Sequence, residues 1–149
     1  MTRISGRKSQ RLSTSLSRSN SRPGFTSEAF IQRWRQLTLM EQLGNIGSEV
    51  ERTISWKNKG NDDLSNRAFH RCLDLLDLTI GDTRWHDGRL KELTRIREII
   101  CDAFLGDNQY NATPEFLGKY FLAFAVGAQR VKEKQASSMQ QPQRAARGR

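Results

Sequence analysis

Few side chains in this sequence could do chemistry, and they are scattered. His70, His86, Cys72 and Cys101 are the whole supply of soft metal ligands. A zinc site needs three or four ligands converging on one point. His70 and Cys72 stand two apart on a helical pattern and so point to different sides. No metal and no cofactor is therefore expected, and both cysteines read as reduced thiols buried in apolar helix faces. Asp74 and Asp77, three apart in "LDLLDL", share a helix face and could work as acid and base or as metal ligands. His70 and Arg71 precede Asp74 by one turn, however, and offer it ordinary salt-bridge partners. Di-metal bundles carry Glu-x-x-His repeats on facing helices, and the chain has none.

Arg97 is the polar residue set most awkwardly. Leu93, Arg97, Ile100 and Phe104 follow a core spacing, so the guanidinium needs a carboxylate inside the fold or at its rim. Glu49 and Glu51 on one helix, or Asp74 and Asp77 on another, could supply it. An internal ion-pair network drawn from Arg97, Asp74, Asp77, Glu49 and Glu51 is the expectation. Trp34, Trp56 and Trp85 each sit beside a cation, in "RWR", "SWKNK" and "TRWH". Indoles so placed can stack on bases or close a protein interface, and the plainer reading packs them at helix ends. The loop "FLGDNQYNATPE" leads into a helix start at Thr113-Pro114 whose free amides could meet an anion. Most helix starts bind only their own cap. No residue is singled out as catalytic, and the chain is not expected to be an enzyme.

The elements that hold these residues are helices. "TLMEQLGNIGSEVERTISWKNK", 38 to 59, opens with a Thr38/Glu41 capping box and buries Leu39, Leu43, Ile46, Val50 and Thr53 or Ile54 on one stripe. Gly44 and Gly47 lie in it, where each costs up to about 1 kcal/mol relative to Ala unless a neighbour must come close. A close helix crossing is predicted there. Gly60 ends the helix. A second helix, about 62 to 80, is apolar over nearly half its circumference and so predicted to be central. "GDTRWHDG" is turn chemistry with Asp87 as N-cap for a third helix, 88 to 105, which presents Leu90, Leu93, Ile96, Ile100, Ala103 and Phe104. A fourth starts at Thr113-Pro114 and runs to about 132 on Leu117, Phe121, Phe124, Ala128 and Val131. A shorter helix, 27 to 37, can pack Phe30, Ile31 and Trp34 on the rest. Strand signals are absent. The predicted fold is all-α, an up-down four-helix bundle with an extra short N-terminal helix and disordered basic tails.

Charge divides the chain. Residues 1 to 25 hold Arg3, Arg7, Lys8, Arg11, Arg18 and Arg22 and no acid; residues 129 to 149 hold Arg130, Lys132, Lys134, Arg144, Arg147 and Arg149 against Glu133 alone. The middle is close to neutral, so the net +9 belongs to two cationic arms on an ordinary domain. The predicted organisation is a basic Ser/Arg-rich arm (1–25), a helical domain (26–132) and a basic C-terminal tail (133–149). The longest apolar run, "FLAFAVGA", falls far short of the ~20 residues that span a bilayer. No apolar secretory segment opens the chain either, which points to a cytoplasmic protein without membrane contact.

"KGN" followed by "AFHRCLDLLDLTIGD" is loosely similar to a tetratricopeptide hairpin, but the Gly60-to-Ala68 spacing is too long and no second copy follows. In outline the helices are also similar to ribonucleases of the HEPN type, which set an Arg and a His further apart than Arg67 and His70 or Arg84 and His86 stand here. That mismatch removes the catalytic centre the likeness would imply. "EQLGNIGSEVER", "AFHRCLDLLDLTI", "RLKELTRIREII" and "FLGDNQY" resemble a family of small, functionally uncharacterised prokaryotic helical proteins over about residues 34 to 128. The resemblance implies a bacterial-type cytosolic domain and transfers no activity.

Two functions follow. The first is a non-enzymatic helical module that binds nucleic acid, RNA ahead of DNA, or a ribonucleoprotein, through Arg3, Arg7, Lys8, Arg11, Arg18, Arg22, Arg144, Arg147 and Arg149, with the neutral body free to oligomerise or grip a protein through its helix faces. The second is a protein-interaction or scaffold domain whose Arg- and Ser-rich, acid-free residues 1–25 are an organelle import address.

Overall fold

The computed structural model describes residues 27–139. They form five α-helices, α1 (Glu28–Gln36), α2 (Leu39–Asn58), α3 (Asp62–Ile80), α4 (Leu90–Leu105) and α5 (Pro114–Met139), with a 3₁₀ turn at Thr83–Trp85. The protein is all-α, with no strand among the described residues.

Local chemistry accounts for most helix ends. Ser27 accepts from the Phe30 amide and starts α1. Thr38 and Glu41 form the reciprocal capping box that starts α2, and Gly60, at φ +70°, lets the chain leave it. Asn61 caps α3, and Thr113 accepts from the Phe116 amide ahead of Pro114 at the first position of α5. Asp87 does not cap α4. Its N-cap is Arg89, with no side-chain hydrogen bond, because Asp82 caps the 3₁₀ turn and Gly88, at φ +90°, swings the chain past Asp87.

The core combines Leu43, Ile46 and Val50 of α2, Phe69, Cys72, Leu75 and Leu76 of α3, Leu93, Ile96 and Ile100 of α4, and Leu117 and Phe121 of α5. The central helix is α2 rather than α3, despite the broader apolar arc of α3. It packs along α3 on one side and along α5 on the other, while α4 lies on α3. The physical reason is glycine. A Cβ on Gly47 would overlap the Phe121 Cβ, and one on Gly44 would fall 3.2 Å from the Ala125 Cα. With both Cβ atoms missing, α5 approaches a second face of α2, which is the close crossing the two glycines predict.

Helix α5 is longer than its apolar spacing predicts, continuing through 133–139 to Met139. Glu51 lies against Gly118, Gly47 against Phe121 and Met40 against Gly127, so α5 runs antiparallel to α2. By this register its last two turns or more project past Leu39, the first residue of α2. Val131, expected on the buried stripe, is consequently 45% exposed. Among the described residues no helix is long and apolar enough to cross a membrane.

Candidate functional site

The Arg97 guanidinium closes on Asp77 of α3 through two bonds, Nε to Oδ1 at 2.6 Å and Nη2 to Oδ2 at 3.1 Å. This fork-on-fork pair joins α3 to α4 at the rim, and it raises the Arg97 pKa above its ordinary value. The expected five-member network does not form around it. Glu49, almost buried on α2, accepts instead from Arg52 at 2.6 Å and from Arg71 of α3 at 3.1 Å. Arg71 thus serves Glu49 rather than Asp74, which is exposed. Glu51 lies over Gly118 of α5, away from Arg97. Two separate clamps result, α2–α3 at Glu49 and α3–α4 at Asp77, because the carboxylates of α2 and α3 emerge on different sides of the α3 backbone.

Between these clamps Cys72 is buried, and desolvation, followed by the charge of Glu49, pushes its thiol up to about 12. It therefore stays protonated at neutral pH and is a core side chain rather than a nucleophile. His70 is exposed, and His86 sits within 3.1 Å of the Ile80 carbonyl. Among the described residues, no group of three or more His, Cys, Asp or Glu side chains is arranged to hold a metal ion.

A polar network that sequence reasoning missed ties α1 and the 3₁₀ turn to α2. Gln42, fully buried, donates to the Trp34 carbonyl at 2.9 Å and accepts from Trp85 Nε1 at 2.9 Å. Trp34 Nε1 donates to Thr79 at 3.2 Å, and Asp82 accepts from the backbone and guanidinium of Arg84. Hydrogen bonds from Arg84 hold the Asp82 carboxyl below its usual range. The Arg84 guanidinium also stacks 4.6 Å from the Trp85 ring. Two of the three tryptophans are thereby committed to holding the fold. Trp56 is partly exposed at the end of α2, with the Lys59 ammonium 4.8 Å over its ring. No described side-chain nitrogen or oxygen is buried without a partner. A cluster so fully satisfied is structural.

The surface left over is α5. Its middle, "FLGKYFLAFAVGA", contains one charge, yet α5 buries only Leu117 and Phe121. Phe116, Leu122 and Val126 are 51%, 59% and 40% exposed. Beyond them the helix carries Arg130, Lys132 and Lys134, with Lys132 paired to Glu41 at 2.9 Å. Leu37, which closes α1, and Lys132 of α5 line one shallow groove. Arg3, Arg7, Lys8, Arg11, Arg18, Arg22, Arg144, Arg147 and Arg149 lie outside the described residues. Compared with known proteins, the chain matches no family model, no curated protein and no solved structure. Function must therefore be read from its own residues.

Proposed function

We propose that this protein is a non-enzymatic helical module that binds nucleic acid, RNA ahead of DNA, through its basic arms, with the helical body as their platform. The observation that carries this reading is the segregation of charge: nine cations stand in residues 1–25 and 144–149 with no acid among them, beside a body near neutrality. Phosphate neutralisation by such arms releases counterions, which gives affinity with little sequence preference. Helix α5 adds Arg130 and Lys134, neither in an ion pair among the described residues, to the C-terminal side.

The test is an anisotropy titration of the full chain with single-stranded RNA and with duplex DNA at several salt concentrations, beside a full-length variant carrying Gln at the nine arm cations. If about six of the arm cations meet phosphates, log affinity falls against log salt with a slope of about −4 to −5, and the variant loses most of its binding. Equal, negligible binding by both proteins would refute the reading. The composition of residues 1–25 also fits a removable import address, and a mature N-terminus found near residue 25 would favour that reading.

A further inference from the structure

Helix α5 has two apolar faces, and the body covers one. Leu117, Phe121, Phe124 and Ala128 turn toward α2 and the core, whereas Leu122, Ala123 and Val126 face outward. A helix apolar all round is normally covered all round. We propose that the outer face of α5 is the pairing surface for a second copy of this chain, with the two α5 helices antiparallel about a two-fold axis at Val126.

Spacing and charge choose this occupant. Positions 115, 119, 122, 126, 129 and 133 follow one another at alternating four and three along the outer face, with Leu122 and Val126 as its apolar centre and Glu115, Lys119, Gln129 and Glu133 as its polar ends. Near the start of that seam, Glu51, Glu115 and Lys119 make no ion pair among the described residues. Near its end, Arg130 and Lys134 make none, and among the described residues the Glu133 carboxylate accepts from Gln129 alone. Antiparallel pairing about Val126 sets Lys119 against the second copy's Glu133, and the reverse. The same operation sets the second copy's Lys134 opposite Gly118, against which Glu51 lies. Parallel pairing would face Glu115 with Glu115 and Arg130 with Arg130. The two-fold symmetry thus matches Lys119 to Glu133 and Glu51 to Lys134, each pair occurring twice, as a self-complementary interface requires. From 115 to 134 the seam is about 30 Å long, which places it among small interfaces, below about 1,200 Å². Association is accordingly reversible and concentration-dependent. It uses none of the nine cations in residues 1–25 and 144–149, so the Gln variant that tests nucleic-acid binding should still associate.

Sedimentation equilibrium of the nuclease-treated full chain, from low micromolar to near millimolar, tests this. The mass should rise from 17.1 kDa toward twice that value. V126K, which sets two ammonium groups together at the axis, should weaken association more than about tenfold while the helical circular dichroism stays unchanged. K119E and E133K should each weaken it, and the K119E/E133K double variant should restore it. A mass of 17.1 kDa at every concentration overturns the proposal. So does association that V126K leaves intact, or a double variant as weak as its single parents.

Discussion

Helices α3 and α5 are both strongly apolar, but they are used differently. In 19 residues α3 buries Ser65, Ala68, Phe69, Cys72, Leu75, Leu76 and Thr79, and the face it shows to solvent is Asp62, Asp63, Asn66, Arg67, His70, Asp74 and Asp77. Apart from Ser65 and Thr79, which are buried with hydrogen-bond partners, its polar and apolar halves are sorted within one chain. Helix α5, at 26 residues, buries two side chains and is held by backbone proximity at Gly44 and Gly47. Side-chain burial on α3 and close backbone approach on α5 are two ways to attach a helix to α2. Only the second leaves apolar surface unspent.

The sharpest way to break the contrast is Phe121→Ala. Phe121 is the one large α5 side chain wedged over a glycine of α2, so its truncation should cost about 3 to 5 kcal/mol in urea unfolding. Leu76→Ala on α3 falls in the same range; a loss under about 1 kcal/mol for Phe121→Ala would mean that α5 is only loosely attached. A smaller effect separates the two glycines. Alanine at either gains up to about 1 kcal/mol of helix propensity. At Gly47 that gain is outweighed by overlap with the Phe121 Cβ, for a net loss of about 1 to 2 kcal/mol, whereas at Gly44 the contact is looser and the net change should be near zero. Equal effects at the two positions would remove the close crossing as the cause.

The smallest effect is on pH. Glu41 joins the α2 cap to α5, and its carboxyl lies below its ordinary value of 4.5 because of the Thr38 backbone bond first and Lys132 after it. A lowered folded-state pKa stabilises the fold above pH 4.5 and withdraws that contribution as the pH falls through the folded value. Asp82, held down by Arg84, acts in the same direction from its ordinary 3.8. Melting temperature should therefore drop in acid, and Glu41→Gln should flatten the part of the slope just below pH 4.5, by about 1 kcal/mol. An unchanged slope in that variant would assign the acid sensitivity elsewhere.

Much of the fold was legible where cause and effect lie within one turn. The Thr38/Glu41 box, the Thr113-Pro114 start and the stripe from Leu39 to Thr53 depend on neighbours three or four residues away. The candidate site was less legible. Nothing local tells Arg97 to choose Asp77, or Arg71 to leave Asp74 for Glu49. Gln42 carries no local sign that it will be fully buried, since its partners Trp34 and Trp85 reach it only after three elements have docked.

The amino-acid sequence by itself determined the helices, most of their caps, the all-α class and the segregation of positive charge, because periodicity, capping and charge count are properties of short stretches. Only the tertiary structure decided which helix is central, which carboxylate each arginine takes and which face of α5 remains open. Those outcomes depend on how closely two backbones can approach, and that is set jointly by Gly44 and Gly47 on one helix and by Phe121 and Ala125 on another, more than seventy residues away along the chain.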